Sequence, residues 1–231
     1  MEQRLNPPKQ GLVLEIGSGE NPNPRSNVLV DRFLFDNTER GGDLVIDRPF
    51  VVADAHHLPF KDGAFAYTIC SHILEHMDDP IQFVSELKRV SEAGYIQSPS
   101  EIAEKTFHWS FHRWYVNLID GVIILHPREA VEPFGEFFDY LYAYNPAYYV
   151  FQRSMPHLFW VEREWHGDDL KVEVHGESPL KLRDPAALME LVRPRMGTLR
   201  LVFLLIVSGI GRKMPANWRG SLRRKLRRSY L

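Results

Sequence analysis

Leu12-Val13-Leu14-Glu15-Ile16-Gly17-Ser18-Gly19-Glu20-Asn21 decides how the rest of the chain is read. Four of the five residues from Leu12 to Ile16 are apolar, the pattern of a central parallel strand covered on both faces. Gly17 and Gly19 then let the backbone turn sharply and approach a ligand with no Cβ in the way. Glu15 interrupts the apolar run, and its carboxylate can accept hydrogen bonds from the N–H groups of the turn. The third glycine of a dinucleotide fingerprint is missing, with Asn21 in its neighbourhood.

Two further apolar runs end in an acid. Val28-Leu29-Val30 is followed by Asp31, and Phe50-Val51-Val52-Ala53 by Asp54. An acid at the end of the second strand can take both ribose hydroxyls of a nucleoside, and one at the end of the third can accept from an adenine amino group. Ligands of open parallel sheets sit outside the carboxyl ends of the strands, where both acids fall. Phe65 to Cys70 reads as a fourth strand opening into Ser71-His72, and Tyr95-Ile96-Gln97 as a fifth.

In order and spacing, these residues resemble the class I S-adenosylmethionine-dependent methyltransferases of the small-molecule, type 11 kind. The resemblance rests on Val13 to Gly19, Asp31, Val52 to Phe60, Asp62-Gly63-Ala64-Phe65 and Cys70 to His76, and covers residues 10 to 100. It implies a Rossmann-like, doubly wound α/β fold with a mixed seven-stranded sheet. It implies S-adenosyl-L-methionine as cofactor, held by Glu15, Gly17, Ser18, Gly19, Asp31 and Asp54. Ala55 and Ser71 then fall near the adenine, and Cys70 and His72 near the methionine. The expected function is methyl transfer to a small-molecule acceptor, sugar or lipid-linked if the tail touches membrane. An RNA methyltransferase and a catalytically silent adapter are the alternatives.

The chain departs from the family pattern after the first strand. Pro22 and Pro24 stand in the short stretch between Gly19 and Val28, and proline stops a helix interior. The usual first helix is therefore expected to be absent or reduced to a turn. Gly41-Gly42 shortens the second in the same way. Asp79-Pro80 starts a helix to Val90, and Asp184-Pro185 another to about Val192. The core is expected over 1–100, an aromatic helical insertion capping the substrate over 101–157, a closing hairpin and helix over 158–192, and an apolar segment with a basic tail over 193–231.

The chain has 231 residues, one of them cysteine, and a net charge of −2. A single cysteine rules out an internal disulfide, and residues 1–8 contain no apolar signal segment, so a cytoplasmic protein is expected. The charge is unevenly spread: no acid follows Glu190, while eight Lys and Arg residues lie from Arg212 onward. Such a block is a solvated face or a contact for phosphate, on nucleic acid or anionic lipid. Leu199 to Ile210 is too short to span a bilayer, which takes about 20 residues. Followed by Arg212-Lys213 and Trp218-Arg219, it has the composition of a peripheral anchor, so residues 199–231 are expected to contact anionic membrane ahead of nucleic acid.

A methyl acceptor oxygen needs a base, and histidine suits neutral pH. His72, His108 and His112 are the candidates, each against the plain alternative of a core or surface histidine. His72-Ile73-Leu74-Glu75-His76 also fits the H-x-x-E-H pattern of inverted zinc peptidases. That pattern needs both histidines on one helix turn, whereas here it follows a strand, and no metal is expected. Arg40 and Arg48 are read as solvating charges.

Overall fold

The computed structural model describes residues 5, 7–129, 137–181, 184–193, 197, 199–200, 202–204 and 206. Phe134 of the aromatic insertion and the basic tail from Arg212 lie outside the described residues.

The glycine-tipped strand is β1 (Val13–Ile16), buried at every position, as its unbroken apolar run requires. It lies between β2 (Val28–Asp31) and β4 (Tyr67–Ser71), both parallel to it. Outside β2 lies β3 (Phe50–Val52), and outside β4 lies β5 (Ala93–Pro99). The far edge is β8 (Trp160–His166), antiparallel to β5, giving the order β3-β2-β1-β4-β5-β8. This is a Rossmann-like order, and it reverses direction between β1 and β4, the switch point where ligands sit.

Among the described residues the main sheet has six strands, not the seven expected. The missing strand is β9 (Lys171–Val174), which was read with β8 as a hairpin. Instead β9 leaves for a second sheet, parallel to β7 (Val122–Pro127), which itself pairs with β6 (Trp114–Ile119). Alternation marks a strand but does not choose its partner, and Val172 finds its burial against the core from β7's side.

The insertion is not purely helical either. It opens with α2 (Glu101–Phe107) and continues through the β6–β7 hairpin to α3 (Phe137–Tyr144), α4 (Pro146–Ser154) and α5 (Pro156–Phe159). The hairpin turns on Asp120-Gly121, with φ of 51° and 81°, and Ile119 pairs with Val122 across it. Positive φ at both central residues matches the right-handed twist of the strands. Val116, Ile123 and Leu125 then join Leu14, Ile16 and Phe83 in one hydrophobic core.

No helix occurs between β1 and β2, as the prolines imply, and none occurs between β2 and β3, where Gly41-Gly42 had implied only a shortened one. Polar bonds hold these crossovers instead. Glu15 Oε2 accepts from the Asn23 N–H at 2.7 Å and from Ser26 Oγ at 2.5 Å. Arg48 Nη1 donates to the carbonyls of Asn23 at 2.7 Å and Ser26 at 2.9 Å. Arg48 is therefore a brace for the first crossover, not a solvating charge. Helix α1 (Pro80–Val90) follows β4, with the Asp79 side chain capping the N–H groups of Ile81 and Gln82. Helix α6 (Pro185–Leu191) is capped by Asp184 in the same way.

Candidate cofactor and acceptor site

The carboxyl ends of β1 to β5 open into a cavity of about 1510 Å³. Gly17 turns at φ 67°, and its N–H donates to the Val30 carbonyl at 2.8 Å. A Cβ there would lie 1.9 Å from Ile73 Cδ1, so the turn closes only over glycine. Ser18 is buried, with no hydrogen-bond partner for its Oγ among the described residues, and lines the cavity.

Asp31 stands at the end of β2. Its Oδ1 accepts from the Phe33 N–H at 3.2 Å, and its Oδ2 from the Gly19 N–H at 3.4 Å. Arg40 Nη1 lies 3.5 Å from the same Oδ2, and Arg40 also donates to the Phe33 and Asp36 carbonyls. Arg40 is thus part of the cavity wall, where the sequence suggested a solvating residue. No local pattern marks it; the loop that replaces the second helix brings it there.

Asp54 lies two residues past the end of β3. The His56 backbone N–H, first, and then the His56 ring hold its carboxyl below the usual carboxylate range. His56 Nδ1 is 2.7 Å from Asp54 Oδ1 and His56 Nε2 accepts from the Asp79 N–H at 3.3 Å, which fixes the tautomer with the proton on Nδ1. Buried Glu15 has its carboxyl pushed up by desolvation, against its Ser26 and Asn23 bonds.

Of the residues expected to hold the cofactor, Glu15, Gly17, Ser18, Gly19, Asp31, Asp54, Ala55, Ser71 and His72 all line this cavity. Cys70 does not: strand alternation turns it into the apolar core, where it is fully buried and desolvation pushes its thiol well up. His72 sits just past β4 with a left-handed backbone, φ 59°, and its ring meets Trp160 edge-on at 5.3 Å. His112 is buried in the cavity wall, with Nδ1 against the Glu104 carboxylate. His108 is turned elsewhere. It ends α2 with φ 52° and faces Arg128, whose Nη2 lies 2.8 and 2.9 Å from its two ring nitrogens. Burial and that guanidinium hold the His108 imidazole below its usual range, and the cavity does not reach it.

Aromatic rings wall the outer part of the cavity: Trp109 and Phe111 after α2, Tyr142 on α3, Tyr149 on α4 and Trp160 on β8. Its inner polar edge is Gln97 and Tyr95, both bonded to Glu162 Oε1, at 2.8 and 3.0 Å. Sequence reasoning missed Trp160 and Glu162, because only the antiparallel docking of β8 on β5 brings them to the site.

The strand order and this set of strand ends form a Rossmann-like α/β domain with a ligand-sized cavity at its switch point, and part of the chain is similar to known methyltransferases. Residues 35–96 match the family described as "Methyltransferase domain". Ajmaline N-methyltransferase of Rauvolfia serpentina is 40% identical over 45 residues, covering 20% of this chain and 16% of that enzyme. Among solved structures, the YcgJ protein of Bacillus subtilis is 22% identical with a TM-score of 0.32, over 39% of this chain and 45% of that one. A Pyrococcus horikoshii protein is 20% identical with a TM-score of 0.33, over 47% and 62%. The chain thus spans about a sixth of that curated relative and under two thirds of either structure.

Proposed function

We propose that this chain transfers a methyl group from S-adenosyl-L-methionine to an oxygen of a small acceptor that carries an apolar portion. The observation that carries the reading is the convergence of the Gly17–Gly19 turn, Asp31 and Asp54 on one cavity walled by aromatic rings. The unbonded Ser18 hydroxyl and the glycine turn fit an amino-acid end, and the two acids fit ribose and adenine. When bound, the cofactor supplies a methyl group activated on a sulfonium.

The chain's own part is alignment, water exclusion and proton removal. Asp31 accepts from the ribose hydroxyls, with the Gly19 N–H and Arg40 fixing its carboxylate in place. The rings of Trp109, Phe111 and Trp160 exclude water from the outer cavity. His72 takes the acceptor's proton. A left-handed backbone costs a non-glycine residue free energy, and here it sets the imidazole in the cavity wall, edge-on to Trp160. His72→Gln is expected to lower kcat about 100-fold at saturating cofactor. Equal turnover in the variant would remove His72 from the reaction.

Support for an apolar acceptor comes from the cavity mouth, where Tyr144 and Phe203 are both exposed and lining. Leu199 and Ile206, in the same apolar block, are exposed as well. Among the described residues no helix is long and apolar enough to cross a membrane. We propose a peripheral contact in which this apolar face meets an anionic bilayer and the basic tail reinforces it. Each basic residue near such a surface contributes about 1 kcal/mol. The triple variant Arg223→Glu, Arg224→Glu, Lys225→Glu should therefore lose sedimentation with phosphatidylserine vesicles by about two orders of magnitude in affinity. Unchanged sedimentation would end the membrane proposal and leave the cavity reading intact.

A further inference from the structure

We propose that Glu75, His76 and His112 form a site for one divalent cation of the kind zinc represents. A ligating atom from each lies within 4.8 Å of the others. Atoms bound at about 2.0–2.2 Å to one tetrahedral ion stand about 3.3–3.6 Å apart, so the set closes by side-chain movements of up to about an ångström. Two imidazoles and a carboxylate are a donor set for first-row transition ions, zinc among them.

The surroundings are built for ligation. Residues Leu74–His76 form a single 3-10 turn after β4, and His112 arrives from the loop between α2 and β6. His112 Nδ1 is taken by the carboxylate of Glu104, itself fully buried, which leaves Nε2 as the ligating atom. A carboxylate on the far nitrogen orients a metal-binding imidazole and raises its basicity. Glu75 is also fully buried. Its Oε2 accepts from Ser98 Oγ at 2.9 Å, while Oε1 makes no hydrogen bond and has His72 Nδ1 at 3.5 Å. His76 stacks on Phe111 with ring centroids 5.6 Å apart and meets the His112 ring edge-on at 4.5 Å. Its Nδ1 lies 3.2 Å from Glu39 Oε2 without hydrogen-bond geometry.

Charge points the same way. Glu75 and Glu104 bury two carboxylates in one cluster, where their ion-pair partners among the described residues are the imidazoles of His72 and His112, and a buried carboxylate needs a charged partner or a metal. The nearby Arg128 guanidinium hydrogen-bonds His108 and the Trp109 and His112 carbonyls and neither carboxylate. A divalent cation balances both charges. His76 and His112 line the cavity, so a coordination position left by three protein ligands opens toward the acceptor region.

The H-x-x-E-H pattern pairs His72 with His76 and carried no expectation of metal; the proposed set differs from it. His72, held at φ 59° before the turn, stays out of the set, and the long-range partner His112 replaces it.

The site stands independently of cofactor binding and is tested without turnover. The full chain, stripped with chelator, is equilibrated with zinc and dialysed, and its metal content is measured. A parallel sample takes cobalt(II) as a spectroscopic probe. The expected result is one zinc per chain and an intense visible cobalt spectrum of tetrahedral type. His112→Ala should abolish both, and Glu104→Gln should weaken zinc affinity 10–100-fold, with circular dichroism reporting the fold of each variant. If a variant fails to fold, the wild-type cobalt spectrum alone decides. Wild-type protein that retains no zinc and gives only the spectrum of hydrated cobalt would overturn the proposal. So would a folded His112→Ala variant that retains as much zinc as the wild type. Titration of the zinc-free protein with S-adenosylhomocysteine separates failure of the metal site from failure of the nucleoside pocket.

Discussion

Asp31→Ala is expected to weaken S-adenosylhomocysteine binding about 1000-fold. The carboxylate offers two charge-assisted hydrogen bonds to a ribose, each contributing about 1.5–3 kcal/mol. Its loss also releases Arg40, which now stands 3.5 Å from Asp31 Oδ2 and would place an unpaired guanidinium in the pocket wall. Folding should suffer little, because among the described residues the carboxylate's bonds are to the N–H groups of Phe33 and Gly19 and to the Arg40 side chain. Isothermal calorimetry gives the affinity, and a thermal scan on the same samples gives the fold. An Asp31→Ala variant that binds as tightly as the wild type would move the ribose elsewhere.

The second large effect concerns Glu101, which ties the insertion to the core. Its buried carboxylate bonds Lys105 Nζ at 2.7 Å, Asn117 Nδ2 at 2.8 Å, His126 Nε2 at 3.0 Å and Ser178 Oγ at 2.7 Å. One side chain thereby joins α2, β6, β7 and the segment after β9. Burial opposes ionisation, yet the four bonds outweigh it and lower the carboxyl from 4.5 to about 2. A carboxyl whose folded value lies below its unfolded one stabilises the protein above the unfolded value, and that stabilisation fades as pH falls through the folded value. Glu101 therefore contributes about 3 kcal/mol at neutral pH, lost progressively between pH 4.5 and about 2. Glu101→Gln should be less stable by about that amount at pH 7, and the gap to wild type should close as the solution is acidified through that window. Urea denaturation at several pH values measures it. A gap that is absent at pH 7, or that widens on acidification, would contradict the assignment.

How much of this was legible depended on whether the signal was local. Strand β1 and its glycine turn, the acids at Asp31 and Asp54, and the capped starts of α1 and α6 are each written in a few consecutive residues. The loss of the first crossover helix was legible for the same reason, in Pro22 and Pro24, while Gly41-Gly42 signalled only a shortening of the second, which is absent. The β6–β7 hairpin was legible and overlooked: Asp120-Gly121 between apolar runs is a strong two-residue turn signal, but the aromatic density around it suggested helices. Other features were not local at all. Nothing in Lys171 to Val174 says that β9 pairs with β7 and not β8, since alternation specifies a face and no partner. Cys70 and His108 stand in motif or candidate positions, yet the pleat of β4 buries the first and the α2 cap turns the second toward Arg128. Arg40 and the Glu75–His76–His112 cluster exist only because loops from distant parts of the chain meet.

The account depends on one nucleoside pocket at the β1/β4 switch point. Calorimetric titration of the full wild-type chain with S-adenosylhomocysteine tests it most directly. Binding of one molecule per chain in the micromolar range, abolished in Asp31→Ala, is the predicted result. Folded wild-type protein that gives no heat at millimolar ligand would contradict it and leave a Rossmann-like fold without that nucleoside ligand.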